Sequence, residues 1–175
     1  MNRKSPHKNS AKSKERWLEF TWKRASEYYG EGNFKVFDGI DPSDIIMGSC
    51  NDCYAFAALG GMAEATDYEA DNNMHGERIM NNFHKMTREV NSAGLYAIEF
   101  IIDGQKRTVI VDDYFPFVRT GRPNADGIRT GPEVFAFAKP KFNENEIWVQ
   151  LIEKAWAKLC GSYEAAEMGI CGEFF

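Results

Sequence analysis

The stretch from residue 48 to residue 64 constrains the fold more than any other part of the sequence. It reads Gly-Ser-Cys-Asn-Asp-Cys-Tyr-Ala-Phe-Ala-Ala and continues as Leu-Gly-Gly-Met-Ala-Glu. A helix from Tyr54 to about Glu64 is apolar on nearly every side, and such a helix belongs in the interior of a domain. The sequence therefore predicts a buried central helix that begins beside Cys53.

Cys53 at the entrance of this helix is the first candidate for chemistry. A helix N-terminus carries a partial positive charge from its unpaired N–H groups, so a thiolate placed there is stabilised. A stabilised thiolate is a nucleophile, and a buried helix would hold the sulfur rigidly at the floor of a cleft. We therefore predict that Cys53 is a catalytic nucleophile.

Length and composition fit one soluble domain with a substantial core. The chain has 175 residues, a net charge of −5 and four cysteines. Because no basic stripe follows the N-terminus, a nucleic-acid partner is not expected. No apolar run reaches the ~20 residues that cross a bilayer, so no membrane span is expected. Residues 1–16 are polar and basic, unlike a signal peptide, so we expect a cytoplasmic protein with reduced thiols.

The N-terminal third divides into a tail, a helix with its linker, and the start of the domain. Residues 1–13 are rich in Ser, Lys and Asn and are predicted to form a disordered basic tail. Residues 14–36 are predicted to hold a short amphipathic helix, Glu15 to Tyr29, followed by a turn-rich linker. The domain proper is expected to span residues 37–175.

The rest of the chain combines strand and helix patterns. Two apolar-rich runs between Leu95 and Asp112 flank Asp103-Gly104, a dipeptide typical of a tight hairpin turn. A further strand is predicted over residues 134–138. The periodicity from Glu146 to Cys160 predicts an amphipathic helix that ends at Gly161. These elements predict an α+β domain with a buried central helix, a β-hairpin and a second packed helix.

Seven short segments, distributed in order along the chain, form a recognisable series. They are Trp22-Lys23-Arg24, Phe37-Asp38-Gly39, Asp44-Ile45, Asp52-Cys53, Ala57-Ala58-Leu59, Val111-Asp112-Asp113 with Pro116, and Glu153–Lys158 with Gly161–Ala165. In these segments the chain resembles the calpain family, a group of papain-like cysteine proteases. The resemblance runs in unbroken order from about residue 22 to residue 175.

The resemblance implies a fold, an activity and a partner. Calpains are calcium-dependent cytosolic endopeptidases whose core has two subdomains that face each other across a cleft. Residues 37–175 are similar to the first subdomain, in which Cys53 would be the nucleophile and its backbone N–H one oxyanion donor. The second subdomain supplies the histidine and asparagine. The implied partners are that subdomain and protein substrates.

The resemblance also implies a calcium site in this subdomain. Its ligands fall on the backbone oxygens of Phe37 and Gly39 and on the carboxylate of Asp44, a set of hard oxygen ligands that suits calcium. The last carboxylate comes from the run before the late helix. Strict alignment places Asn143 there, whereas a shift of one residue places Glu144.

Two departures from the family pattern bear on catalysis. The family has a glutamine six residues before the nucleophile, where its amide completes the oxyanion hole. This chain has Met47, and a thioether donates no hydrogen bond. A cysteine protease also needs a histidine, and the chain holds only His7, His75 and His84, none in a matching motif. His84 lies in a polar stretch and is expected to face solvent. We therefore expect this chain alone to be inactive.

Other interpretations of the same residues stay open at this point. Most cysteines outside disulfides are buried core residues, and Cys53 could be one of them. Cys50 and Cys53 also form a C-x-x-C pattern, which can be a redox pair. A zinc site is less expected, because Cys160 and Cys171 form no second close pair. Asp112 and Asp113 are expected to be turn and hydrogen-bonding residues rather than catalytic carboxylates.

Two functions therefore compete. The first is the nucleophile-bearing half of a calcium-regulated, calpain-like cysteine endopeptidase. The second is an inactive calpain-like binding or scaffold module in a larger assembly, favoured by Met47 and by the missing histidine. In the second case the apolar face that would meet the other subdomain becomes an interaction surface, and the basic tail docks on an acidic partner.

Overall fold

The chain folds as an α+β domain, as predicted. The computed structural model describes residues 19–64, 76–141 and 144–170, so the predicted tail, residues 1–13, lies outside the described residues. The helices and strands are β1 (Thr21–Arg24), α1 (Ala25–Tyr29), α2 (Cys53–Glu64), α3 (Glu77–Asn81), β2 (Leu95–Ile102), β3 (Gln105–Asp112), β4 (Tyr114–Arg119), β5 (Glu133–Phe135), α4 (Trp148–Cys160) and α5 (Tyr163–Ala166). Short 3₁₀ turns cover Pro42–Asp44 and Lys85–Thr87.

The predicted hairpin is confirmed as the antiparallel pair β2–β3. Its register joins Ile102 to Gln105 across the turn. The turn residues Asp103 and Gly104 both have positive φ, 52° and 72°, which explains why this dipeptide was a reliable signal. This pair forms a two-stranded sheet that packs against α4.

The second sheet has the strand order β1-β4-β5, all antiparallel, and it corrects one prediction. The helix expected from Glu15 to Tyr29 is wrong over residues 21–24, which form β1; of the described part of this span, residues 19–29, Ala25–Tyr29 is helical, and residues 15–18 lie outside the described residues. Trp22 lies opposite Pro116 on β4, so pairing with a distant strand overrides the local helical spacing. The strand predicted over residues 134–138 is also shorter than expected, since β5 ends at Phe135.

The two long helices share one core with residues of both sheets. Half of the residues of α2 are buried, including Tyr54, Phe56 and Leu59, whereas one side of the helix, formed by Cys53, Ala57, Gly61 and Glu64, is exposed. The prediction of a helix buried on nearly every side is therefore only partly right. The late helix α4 begins at Trp148, two residues after its predicted start, and ends at Gly161, whose φ of 107° is the left-handed stop expected there. Within the described residues, no helix combines the length and the apolar character that crossing a membrane requires.

Candidate active site

Cys53 is the first residue of α2 and its side chain is exposed. The neighbouring Cys50 is buried, with its sulfur 3.8 Å from the carbonyl oxygen of Tyr163. Neither residue forms a disulfide. The two thiols of the C-x-x-C pattern therefore occupy different environments: one belongs to the core, and the other lies at the surface end of a buried helix.

The segment that leads into Cys53 is fixed at several points along its backbone. The Lys139 N–H donates to the Ile46 carbonyl oxygen at 2.9 Å, and the Ser49 N–H donates to Ala136 at 3.0 Å. After α5, the Met168 N–H donates to the Asn51 carbonyl oxygen at 2.8 Å. These bonds hold the approach to the sulfur from two sides, so the position of Cys53 is set by tertiary contacts.

Gly48 is required at its position by a close backbone approach. A Cβ atom built there would lie 1.8 Å from the carbonyl oxygen of Phe137. No side chain fits that distance, and the segment could not lie against residues 136–139 with any other residue at this point. The glycine at position 48 therefore has a steric cause.

Met47, the residue directly before Gly48, lines a surface cavity. Its side chain is 45% exposed and, together with Gly48 and Ser49, lines this cavity, whose volume is about 560 Å³. Arg119 and Arg129 line the same cavity. An exposed thioether here supplies apolar surface and no hydrogen-bond donor. The second oxyanion donor expected from a glutamine is therefore absent at this position.

Tyr54 anchors the first turn of α2 from behind the sulfur. Its hydroxyl donates to the Ala166 carbonyl oxygen at 2.8 Å and accepts a hydrogen bond from the Trp156 indole N–H at 2.7 Å. The buried hydroxyl of Tyr54, the residue directly after Cys53, therefore connects α2 with α4 and α5. The helix carrying the sulfur is rigidly seated, which is what a nucleophile at a cleft floor requires.

Cys53 thus lies at the exposed N-terminal end of a helix that packs into the core, next to a segment whose close packing requires Gly48. The family model for "Calpain family cysteine protease" matches residues 2–175 of this chain. The chain belongs to the calpain family of cysteine proteases.

Calpains of plants and of animals are among its relatives. The chain is 32% identical over 154 residues to the calpain-type cysteine protease ADL1 of Oryza sativa subsp. japonica, which covers 85% of this chain. It is 34% identical over 136 residues to DEK1 of Zea mays, covering 77% of this chain, and 30% identical over 154 residues to the human calpain-1 catalytic subunit, covering 88%. The matched regions span 6%, 5% and 18% of the lengths of these relatives.

The carboxylates expected at the calpain calcium site lie together. One carboxylate oxygen from each of Asp44, Glu144 and Glu146 lies within 4.8 Å of the others. Gly39, Asp44 and Glu144 line a cavity of about 400 Å³. The described lining does not include Phe37, whose ring packs against Phe83 with centroids 4.8 Å apart. Asn143 lies outside the described residues, so Glu144 is the one of these two candidate ligands whose position is described.

Glu146 is the member of this cluster that the sequence analysis missed. It is buried, and its Oε2 accepts a hydrogen bond from the Asp38 N–H at 3.0 Å. Its Oε1 makes no hydrogen bond of ordinary geometry, although the Trp148 indole N–H interacts with this carboxylate and opposes the rise in its pKa. The signal was present, because Glu146 is a charged residue directly before the apolar pair Ile147-Trp148. A carboxylate in such a position is buried along with its neighbours and needs a compensating group.

The three carboxyl groups of this cluster are only partly compensated by a basic side chain. Burial raises the pKa of Glu146 to about 7 and also raises that of Asp44, so burial disfavours the charged forms of these two acids. Lys141 lies 3.6 Å from Asp44 and 3.2 Å from Glu144, and the hydrogen bond to Glu144 raises the pKa of Lys141. The ammonium group of Lys141 thus pairs with two of the three acids.

The remaining sequence candidates have structural roles. His84 is exposed, as expected, and its Nδ1 accepts a long hydrogen bond from Met86 N–H, 3.4 Å. His7 and His75 lie outside the described residues. Asp112 accepts a hydrogen bond from the Tyr114 N–H at 2.9 Å, and buried Asp113 forms a bidentate pair with Arg24 at 2.8 and 3.1 Å. Both aspartates are hydrogen-bonding residues, as predicted.

Proposed function

We propose that this chain provides the nucleophile of a calpain-type cysteine endopeptidase. The observation that carries the proposal is the exposed thiol of Cys53 on a buried helix whose approach segment is fixed by backbone hydrogen bonds. A cysteine held in this way matches the role that the family name describes. The histidine that activates it would come from outside these 175 residues.

In this mechanism the Cys53 thiol loses its proton to that histidine, and the thiolate sulfur attacks the carbonyl carbon of a peptide bond. The Cys53 backbone N–H stabilises the negative oxygen that forms. When the tetrahedral intermediate collapses, the histidine returns its proton to the leaving amine, and a thioester remains on Cys53. Water then hydrolyses the thioester and regenerates the thiol. Without the histidine, the first step fails, so the chain alone would not cut peptides.

Calcium binding by this subdomain is part of the proposal. Asp44, Glu144 and Glu146 would hold the ion, with backbone oxygens of Phe37 and Gly39 as the further ligands that the family pattern implies. Glu146 Oε1, which makes no hydrogen bond of ordinary geometry, and the all-oxygen donor set support this fit. Bound calcium would neutralise carboxylates on both sides of the cavity. Lys141 already neutralises part of that charge, so we propose that this site is weaker than one without a lysine.

Hydrolysis of casein by the protein isolated from its native source tests the proteolytic role. We expect calcium-dependent cleavage that is lost in Cys53→Ser and kept in the matched control Cys160→Ser. Cleavage that survives Cys53→Ser would rule out this nucleophile. The 175-residue chain by itself should not cleave casein at any calcium concentration.

An inactive binding or scaffold module is the second candidate, and the observation that favours it is Met47. Loss of one oxyanion donor typically lowers a protease rate by about 10²–10³-fold. If the native-source protein is inactive and Met47→Gln leaves it inactive, the scaffold function gains support. Cleavage that appears only in Met47→Gln would instead identify an otherwise intact protease site.

We also propose a cytoplasmic location, with a second protease subdomain or other protein subunits as partners. The location is supported by three described cysteines, Cys50, Cys53 and Cys160, none of which forms a disulfide. Fractionation of the native source, with this chain detected by antibody, tests the location. Recovery in a secreted fraction with oxidised thiols would contradict it.

A further inference from the structure

Two buried carboxyl groups meet directly beneath Cys53. Asp52, the residue before α2, is 1% exposed, and Glu153, in the middle of α4, is 5% exposed. A carboxylate oxygen of each residue and the Cys50 sulfur lie within 4.8 Å of one another, and Asp52 Oδ1 accepts no hydrogen bond from another described group. Within the described ranges, neither of them forms an ion pair with a lysine or an arginine. The pair therefore brings together two acids with no cation to balance them.

The groups that face this pair are neutral or acidic. Both oxygens of Glu153 accept from the Ala138 N–H, at 3.1 and 3.0 Å. The Cys50 thiol reaches Asp52 from the preceding loop, and Tyr163 and Glu167 face the pair from α5 and the residues after it. Two carboxylates in contact in such surroundings cannot both be ionised without a large free-energy cost. A proton between them removes that repulsion and makes the hydrogen bond.

We propose that Asp52 and Glu153 share one proton at neutral pH, and that this proton holds the N-terminal end of α2 in place. Glu153 carries the proton and donates it to the Asp52 carboxylate, since the helix N-terminus favours the negative charge on Asp52. Burial raises the pKa of Asp52 to about 6 and raises that of Glu153 well above its usual range, which agrees with this assignment.

The shared proton links two supports of the approach to Cys53. Asp52 directly precedes Cys53, so at Asp52 the proton acts on the backbone next to the sulfur. Through Glu153 it acts on Ala138, in the segment of residues 136–139 that binds Ile46 and Ser49. Loss of the proton would place two negative charges side by side and push these supports apart. Glu153 is thus a positioning residue for Cys53, a consequence that rests on the proposed function, whereas proton sharing itself does not.

The sign of the pH dependence follows from the raised pKa values. The folded state binds a proton on Glu153 that the unfolded chain releases above about pH 4.3. Stability from this group is therefore present at low pH and is lost as the pH rises toward the folded-state pKa of Glu153. Across that interval, the equilibrium constant for folding falls about tenfold per pH unit because of this one proton.

Glu153→Gln is the decisive variant, because glutamine keeps both hydrogen bonds without a titratable proton. Its amide N–H₂ donates to Asp52, and its carbonyl oxygen accepts from Ala138. Urea unfolding between about pH 6 and about pH 8 should give a pH slope smaller than wild type by about one proton. Glu153→Ala should destabilise the protein throughout, and Glu164→Gln, the same chemical change on α5, should keep the wild-type slope.

Infrared spectroscopy of the wild-type protein provides a second measurement that does not depend on the folding of a variant. At about pH 7, where ordinary carboxyls are ionised, a protonated carboxyl band should be present beyond the contribution of Glu146, whose pKa is raised to about 7. Absence of that band, or a wild-type pH slope in Glu153→Gln, would overturn proton sharing. Stoichiometric metal in the purified protein, lost with Cys50→Ser or Glu153→Gln, would also overturn it, because a cation would then replace the proton.

Alkylation of Cys53 by iodoacetamide separates the positioning role from the proposed function. The labelling rate should change in Glu153→Ala and return to the wild-type value in Glu153→Gln. An unchanged rate in Glu153→Ala, together with the expected pH slopes, would retain the shared proton but refute positioning. If Glu153→Gln restores the labelling rate but the protein isolated from its native source does not cleave casein, the shared proton and the positioning role are retained and only the catalytic proposal is refuted.

Discussion

The close approach of the backbone at Gly48 predicts that alanine at this position destabilises the protein. Gly48→Ala places a Cβ 1.8 Å from the Phe137 carbonyl oxygen, and contacts under 3.0 Å are essentially never found. The two backbone segments must therefore separate by about 1.2 Å. The Ser49 N–H to Ala136 hydrogen bond, 3.0 Å long, spans the same gap and would be lost or stretched.

The magnitude follows from overpacking and from the hydrogen bond. Overpacking a rigid site costs about 1–3 kcal/mol, and a lost hydrogen bond about 1 kcal/mol. A domain of this size loses roughly 2–4 °C in Tm for each kcal/mol. We therefore expect a total cost of about 2–4 kcal/mol, so Gly48→Ala should lower the Tm by about 4–16 °C in a thermal unfolding experiment followed by circular dichroism.

Gly61→Ala is the matched control, because it makes the same change inside α2. A Cβ there meets nothing within 4 Å. Alanine is favoured over glycine in a helix by about 1 kcal/mol, so this variant should raise the Tm by about 2–4 °C. The two variants should therefore shift the Tm in opposite directions. If Gly48→Ala is neutral, or if both variants shift in the same direction, the steric argument for Gly48 is wrong.

Three further predictions concern the supports of the site. Tyr54→Phe removes a buried donor and acceptor and should reduce the free energy of unfolding, measured in urea, by about 1–3 kcal/mol; a neutral result would contradict the bridging role. Arg24→Ala leaves buried Asp113 without its partner and should lower the free energy of unfolding by about 3 kcal/mol in the same assay. Lys106→Ala, which breaks the ion pair of an exposed lysine, should cost less, and equal costs for the two variants would refute this prediction. Millimolar calcium should raise the Tm of the wild-type protein more than millimolar magnesium does, and this difference should disappear in Glu146→Gln. If calcium raises the Tm of both proteins equally, Glu146 is not a ligand.

Elements with strong local signals were predictable from the sequence. The Asp103-Gly104 turn needs positive φ at both residues, and few other dipeptides allow it. The apolar run after Cys53 predicted the side of α2 that packs into the core, but apolar composition alone did not reveal that its other side, with Ala57 and Gly61, is exposed. The β1 strand was missed because its partner is β4, about ninety residues away in the chain, and short-range periodicity carries no information about that pairing.

The buried acids were the other gap. Glu146 and Glu153 lie within or beside the apolar pattern of the late helix, where they look like ordinary helical residues. What they contact depends on distant backbone, Asp38 for Glu146 and Ala138 for Glu153. A charged residue on the buried face of a helix is the sequence signal that identifies such positions, since its burial needs a partner.

The central claim is that Cys53 is an exposed nucleophile on a rigid, buried helix. The most direct test is the rate of iodoacetamide labelling of each of the four cysteines in the folded protein near neutral pH, read by peptide mapping and mass spectrometry. The account predicts that Cys53 reacts first and that Cys50 reacts only after unfolding. Labelling of Cys50 or Cys160 before Cys53, or no labelling until the chain unfolds, would contradict it.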